Sequence, residues 1–80
     1  MIDTHNLGKK IAAARKRLKL TQNDLALRVG VTAQAVSKWE QGRSCPDIAI
    51  LDEIADALGI SLFELLGVDD RIAVATRQGS

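Results

Sequence analysis

Residues 21–42 read TQNDLALRVGVTAQAVSKWEQG, and this stretch decides the fold. Thr21 can cap a helix through its hydroxyl, and Asp24 three residues on completes a capping box. Leu25, Ala26 and Val29 then follow as buried positions. Gly30 stops the helix, because the residue after a helix end often needs a positive φ. Thr32 caps a second helix, Val36 and Trp39 face inward, and Gly42 ends it. The spacing therefore predicts two short helices joined by a tight turn. The second exposes Ala33, Gln34, Ser37 and Lys38 along one side. Ala26 supplies the small side chain where the two helices touch, and Val36 wedges between them and the helix before.

The flanks also read as helices. Leu7, Ile11, Ala14 and Leu18 recur every three or four residues and form one stripe of a first helix. Lys16, Arg17 and Lys19 close it, where cations favour the negative end of the helix dipole. Pro46 and Asp47 mark the next start, with Asp47 as cap. Ile48, Leu51, Ile54, Ala55 and Leu58 line a fourth helix that ends at Gly59. Ser61 and Glu64 predict a second capping box on a short fifth helix carrying Leu62, Phe63, Leu65 and Leu66, closed by Gly67. The expected organisation is an N-terminal arm at 1–6, one helical domain at 7–67 and a tail at 68–80. Val68 to Ser80 is weakly patterned, and a frayed tail, a short strand and a partner-docking segment all fit it.

Composition narrows the classes. Eighty residues make one domain with one small core. At 46% apolar residues, the chain is not of the disordered type. No apolar run exceeds four residues, against the roughly twenty that a membrane span needs. Met1 to Asn6 lack the apolar stretch of a signal peptide. Cys45 is the single cysteine, which suggests a reduced, cytoplasmic setting. The net charge of +1 conceals an asymmetry: residues 1–43 carry nine basic and three acidic side chains, residues 44–80 two and seven. Such a division suggests that one end faces a polyanion, or simply two solvated faces of unlike charge.

These residues resemble the phage-repressor and Cro-like helix-turn-helix family, also called the xenobiotic-response-element family. The resemblance spans residues 7–67. It rests on Thr21-Gln22-Asn23-Asp24-Leu25-Ala26, Gly30-Val31, Val36-Ser37-Lys38-Trp39-Glu40-Gln41-Gly42-Arg43, Pro46-Asp47, Leu51, Ile54-Ala55 and Leu58-Gly59-Ile60-Ser61. It implies an all-α fold, a compact five-helix bundle of the lambda-repressor-like DNA-binding type. The implied function is a sequence-specific transcriptional regulator that reads the major groove of double-stranded DNA with the helix at about 32–41, as a dimer on a palindromic operator.

Site roles follow from the resemblance position by position. Gln22, Asn23 and Arg43 match phosphate contacts. Thr32, Ala33, Gln34 and Lys38 match positions that face base edges, with Ser37 beside them. Gln34 could bond adenine bidentately, and Lys38 could donate to guanine. Ala33 departs from relatives with a long polar side chain there. Arg15 and Glu40 match an ion pair that locks the reading helix to the scaffold. Lys16, Arg17 and Lys19 are left between phosphate contact and simple solvation. Apart from the resemblance, Ile60, Leu62, Phe63 and Leu66 crowd the fifth helix and cannot all enter one small core, so Leu62, Phe63 and Leu66 are candidates for a mate surface, with Ile72 and Val74 as additions.

Competing readings are weaker. Trp39 on an inner helix face reads as core rather than a base-stacking platform. His5 has no acid or nucleophile partner. Asp52, Glu53 and Asp56 read as a solvated face. The sequence offers no glycine-rich phosphate loop, nucleophile elbow or Cys–His pair, so neither enzyme, metal nor cofactor is expected. Two other functions share the fold: the antitoxin of a toxin–antitoxin pair, with a toxin as second partner, and a protein-interaction module without DNA binding.

Overall fold

The computed structural model describes residues 3–67. They form five helices: α1 (Thr4–Arg17), α2 (Gln22–Val29), α3 (Ala33–Glu40), α4 (Ile48–Leu58) and α5 (Leu62–Leu66). None of these is long and apolar enough to cross a membrane. The helix starts follow the expected chemistry. Thr21 and Asp24 make the complete capping box, with Asp24 N–H donating to Thr21 Oγ1 at 2.9 Å and Thr21 N–H to Asp24 Oδ2 at 2.8 Å. Thr32 and Asp47 cap α3 and α4 by accepting from Ala35 N–H and Ile50 N–H.

One core gathers residues from all five helices. Ile11, Leu25, Val36, Leu51, Ile54, Leu58 and Leu65 are fully buried at its centre. α3 packs against both α1 and α2, and α4 and α5 close the opposite side. Ala26 and Val36 are buried where α2 meets α3, and Trp39 is core as its inward position predicts. The three-residue turn between the two helices depends on Gly30, which sits at φ 80° with Val31 N–H returning to Ala26 O.

Four expectations change. Helix α1 begins at Thr4, so residues 4–6 are not an arm; the Asp3 carboxylate caps them by accepting from His5 and Asn6 N–H at 3.1 Å each. Leu18 is not part of the buried stripe. It is the C-cap of α1 and 45% exposed, and Arg15 takes the inner position instead. Ile48 lies in the first turn of α4, where no described neighbour covers it, and is 64% exposed. Ser61 accepts from Glu64 N–H, but the reciprocal bond of a box is not made; Glu64 lines a shallow groove with Lys10 and Arg17 instead.

Two backbone positions in and after α1, Lys19 and Gly8, are unusual. Helices α1, α3 and α4 end in the same paired bonds: Lys19 N–H to Lys16 O with Leu20 N–H to Arg15 O, Gly42 N–H to Trp39 O with Arg43 N–H to Lys38 O, and Gly59 N–H to Asp56 O with Ile60 N–H to Ala55 O. This end requires a left-handed residue. Gly42 and Gly59 meet that need, whereas at α1 it falls on Lys19, at φ 60°. A side chain there costs about 1–2 kcal/mol.

The other feature is Gly8, in the middle of α1. A Cβ at Gly8 would lie 2.3 Å from Trp39 O and 2.8 Å from Glu40 O. The absent side chain is what lets α1 touch the backbone at the end of α3. Gly8→Ala should gain about 1 kcal/mol in helix propensity and lose about 1–3 kcal/mol to overpacking. A net loss of stability in urea denaturation is expected; a variant more stable than wild type would refute the close approach.

Candidate nucleic-acid interface

The outward side of α3 is built by helical spacing. Gln34, Lys38 and Gln41 are exposed, three to four residues apart, so they stand one above another on one face. Ser37 is half-buried beside them, and its Oγ accepts from Gln41 Nε2 at 2.9 Å. Thr32, at the head of the helix, is exposed but has its Oγ1 engaged as the cap. Ala33 differs from the expectation that it faces outward with the rest. It is half-buried and packed against the core, because position 33 lies on the Val36 side of the helix.

The three expected phosphate residues flank this face differently. Asn23 and Arg43 are exposed, the first near the start of α2 and the second just past the end of α3. Gln22 is half-buried, and its amide donates to Glu40 Oε1 at 3.1 Å. One amide proton and the carbonyl oxygen of Gln22 therefore remain for a ligand.

Glu40 is the hub of this end of the molecule. Arg15 Nε donates to Glu40 Oε2 at 2.6 Å and Arg15 Nη2 to Oε1 at 3.0 Å, a bidentate pair with both side chains about nine-tenths buried. Arg15 Nη1 donates to Leu20 O at 2.8 Å. Arg15 and Glu40 together thus tie α1, the α1–α2 turn, the first residue of α2 and the last of α3. The hydrogen bond to Glu40 raises the pKa of Arg15 above its ordinary value, so the guanidinium stays charged. At the nearby head of α2, hydrogen bonds from Thr21 hold the Asp24 carboxyl below the usual carboxylate range.

Three participants escaped the sequence reading. Gln41 could have been found from its four-residue spacing to Ser37. Gly8 carried no local signal beyond a glycine inside a helix. His5 is exposed, yet its imidazole lies over Gly42, where a Cβ would come 2.7 Å from Nδ1, so it abuts the loop that carries Arg43. The suggested mate surface divides. Phe63 is 48% exposed, whereas Leu62 and Leu66 pack partly against the core; Ile72 and Val74 lie outside the described residues. Asp52, Glu53 and Asp56 are exposed on α4.

The chain is similar to known proteins in sequence and fold. Residues 11–65 match the family model described as helix-turn-helix. An uncharacterised HTH-type transcriptional regulator, y4dJ, of Sinorhizobium fredii is 37% identical over 71 residues, 89% of this chain and 92% of the relative. Multiprotein-bridging factor 1 of Debaryomyces hansenii is 39% identical over 57 residues, 71% of this chain, and the match spans only 38% of that longer protein. Among solved structures, the P22 c2 repressor in complex with a synthetic operator superposes with a TM-score of 0.75 at 38% identity, covering 79% of this chain and 96% of the repressor chain in that structure. Hydroxypropylphosphonic acid epoxidase from S. wedmorenis contains a similar unit, with a TM-score of 0.75 at 26% identity over 81% of this chain and 35% of the enzyme.

The buried pair makes a testable demand. Glu40→Ala leaves the Arg15 guanidinium buried and unpaired, so it should cost about 3–5 kcal/mol in urea denaturation. Arg15→Met combined with Glu40→Leu should recover most of that loss. Strictly additive losses in the double variant would contradict the coupling.

Proposed function

The chain belongs to the helix-turn-helix family, and from that membership we propose that it is a DNA-binding transcriptional regulator that reads the major groove with α3. The observation that carries this is the exposed row Gln34, Lys38 and Gln41, on a helix whose opposite side is sealed into the core by Val36 and Trp39. An α-helix fits the major groove, and the amide and ammonium groups of this row match its donor and acceptor code. Gln34 pairs with adenine and Lys38 with guanine O6 or N7. Thr32 and Ser37 add short contacts. Arg43, Asn23 and the free end of Gln22 grip phosphates on either side.

The P22 c2 repressor, bound to its synthetic operator, supports the assignment of double-stranded DNA as partner. The unit shared with the epoxidase accounts for 35% of that enzyme, and a shared fold does not carry chemistry with it. The reading is therefore of a binding protein and not an enzyme, acting in the cytoplasm, where an exposed lone thiol such as Cys45 stays reduced.

A second copy completes the operator reading. One helix covers too few base pairs for selectivity, and two-fold pairing doubles the site. Phe63 is the best-exposed apolar residue of α5 and the centre of the proposed mate surface, with the edges of Leu62 and Leu66 around it.

The decisive experiment selects bound duplexes from a random pool and compares variants. Gln34→Ala should cost roughly 1–3 kcal/mol and relax preference at one base pair. Arg43→Ala should weaken all sequences alike. An unchanged ranking of sequences in Gln34→Ala would refute the assignment. In sedimentation of the DNA complex, wild type should carry two copies per operator and Phe63→Ser one; a single wild-type copy would refute the pairing.

A further inference from the structure

The trio Lys16, Arg17 and Lys19 closes α1, and only Lys19 stands on backbone that a side chain disfavours. Helices α1, α3 and α4 end with the same pair of hydrogen bonds, and the left-handed position is glycine in two of them and lysine in the third. A cation favours the helix C-terminus, but Arg15, Lys16 and Arg17 already fill that last turn. Stability alone would favour glycine at 19. Non-glycine residues held in such conformations cluster at functional sites.

The location suggests the function. Lys19 is exposed and precedes Gln22 by three residues. The turn is fixed: Leu20 O accepts from Arg15, which shares the Glu40 carboxylate with Gln22. Among the described residues the salt bridge is Arg15–Glu40, and no carboxylate pairs with Lys19. Lys19 therefore offers a charge from a rigid turn, beside the residues read as phosphate contacts.

We propose that Lys19 is a DNA-backbone contact, binding the phosphate next to the one gripped at the start of α2, and that it occupies a glycine position for its charge. This rests on the major-groove reading of α3. A structural role and a binding role predict different outcomes for Lys19→Gly. Binding to a mixed-sequence duplex a few helical turns long is followed by fluorescence anisotropy across a salt series, beside thermal melts of the free proteins.

Lys19→Gly should melt a few degrees higher, bind several-fold more weakly, and show a log K against log salt slope shallower by about 0.9. Lys19→Arg should keep the wild-type slope. A wild-type slope in Lys19→Gly, or a melting temperature no higher than wild type, overturns the proposal while leaving the role of α3 intact. A wild-type protein with no salt-dependent binding would overturn both.

Discussion

The carboxylate of Glu40 is the point on which the arrangement of α1, α2 and α3 depends. Its two oxygens receive three N–H donors, two from Arg15 and one from Gln22. A buried bidentate pair contributes little net stability compared with a well-packed apolar replacement, but it is geometrically demanding. Glu40 is the last residue of α3, so the demand falls directly on that helix. Rotation of α3 about its axis, or sliding along it, would break bonds to two other elements. The network therefore fixes an orientation, which is what reading base edges requires.

Packing fixes the depth as the ion pair fixes the rotation. Gly8 lets α1 rest on the carbonyls of Trp39 and Glu40, and Ala26 lets α2 come close on the other side. Val36 and Trp39 fill the space between. Protein interiors are close-packed, so a methyl group added at either contact displaces whole helices. The polar row of α3 is held outward by this inner surface, and a row of polar residues on a loosely held helix would have no defined register on DNA.

Much of this was legible from the sequence because helix ends and helix faces are local. The caps Thr21, Thr32 and Asp47, the stops Gly30 and Gly59, and the inward Val36 and Trp39 each follow from residue type and spacing within one turn. The departures share a different cause. Leu18 continues the apolar spacing of α1 but falls where the chain turns back, and the Arg15–Glu40 partnership takes the buried place. Ala33 is one step from Gln34, yet it sits on the Val36 side. Gly8 matters only because the distant backbone of Trp39 and Glu40 rests against it. Lys19 looks like any basic residue until the backbone shows it in a glycine conformation. These depend on which elements meet in space, which spacing alone does not state.

If α3 reads DNA, its exposed row must meet the bases. The most direct measurement is a titration of isotope-labelled protein with a duplex recovered from a random pool, followed by nuclear magnetic resonance of backbone and side-chain amides. The account predicts the largest shifts at the side-chain amides of Gln34 and Gln41 and the backbone around Lys38 and Arg43, with Asp52, Glu53 and Asp56 unmoved. Shifts centred on α4, with the α3 row undisturbed, would contradict it.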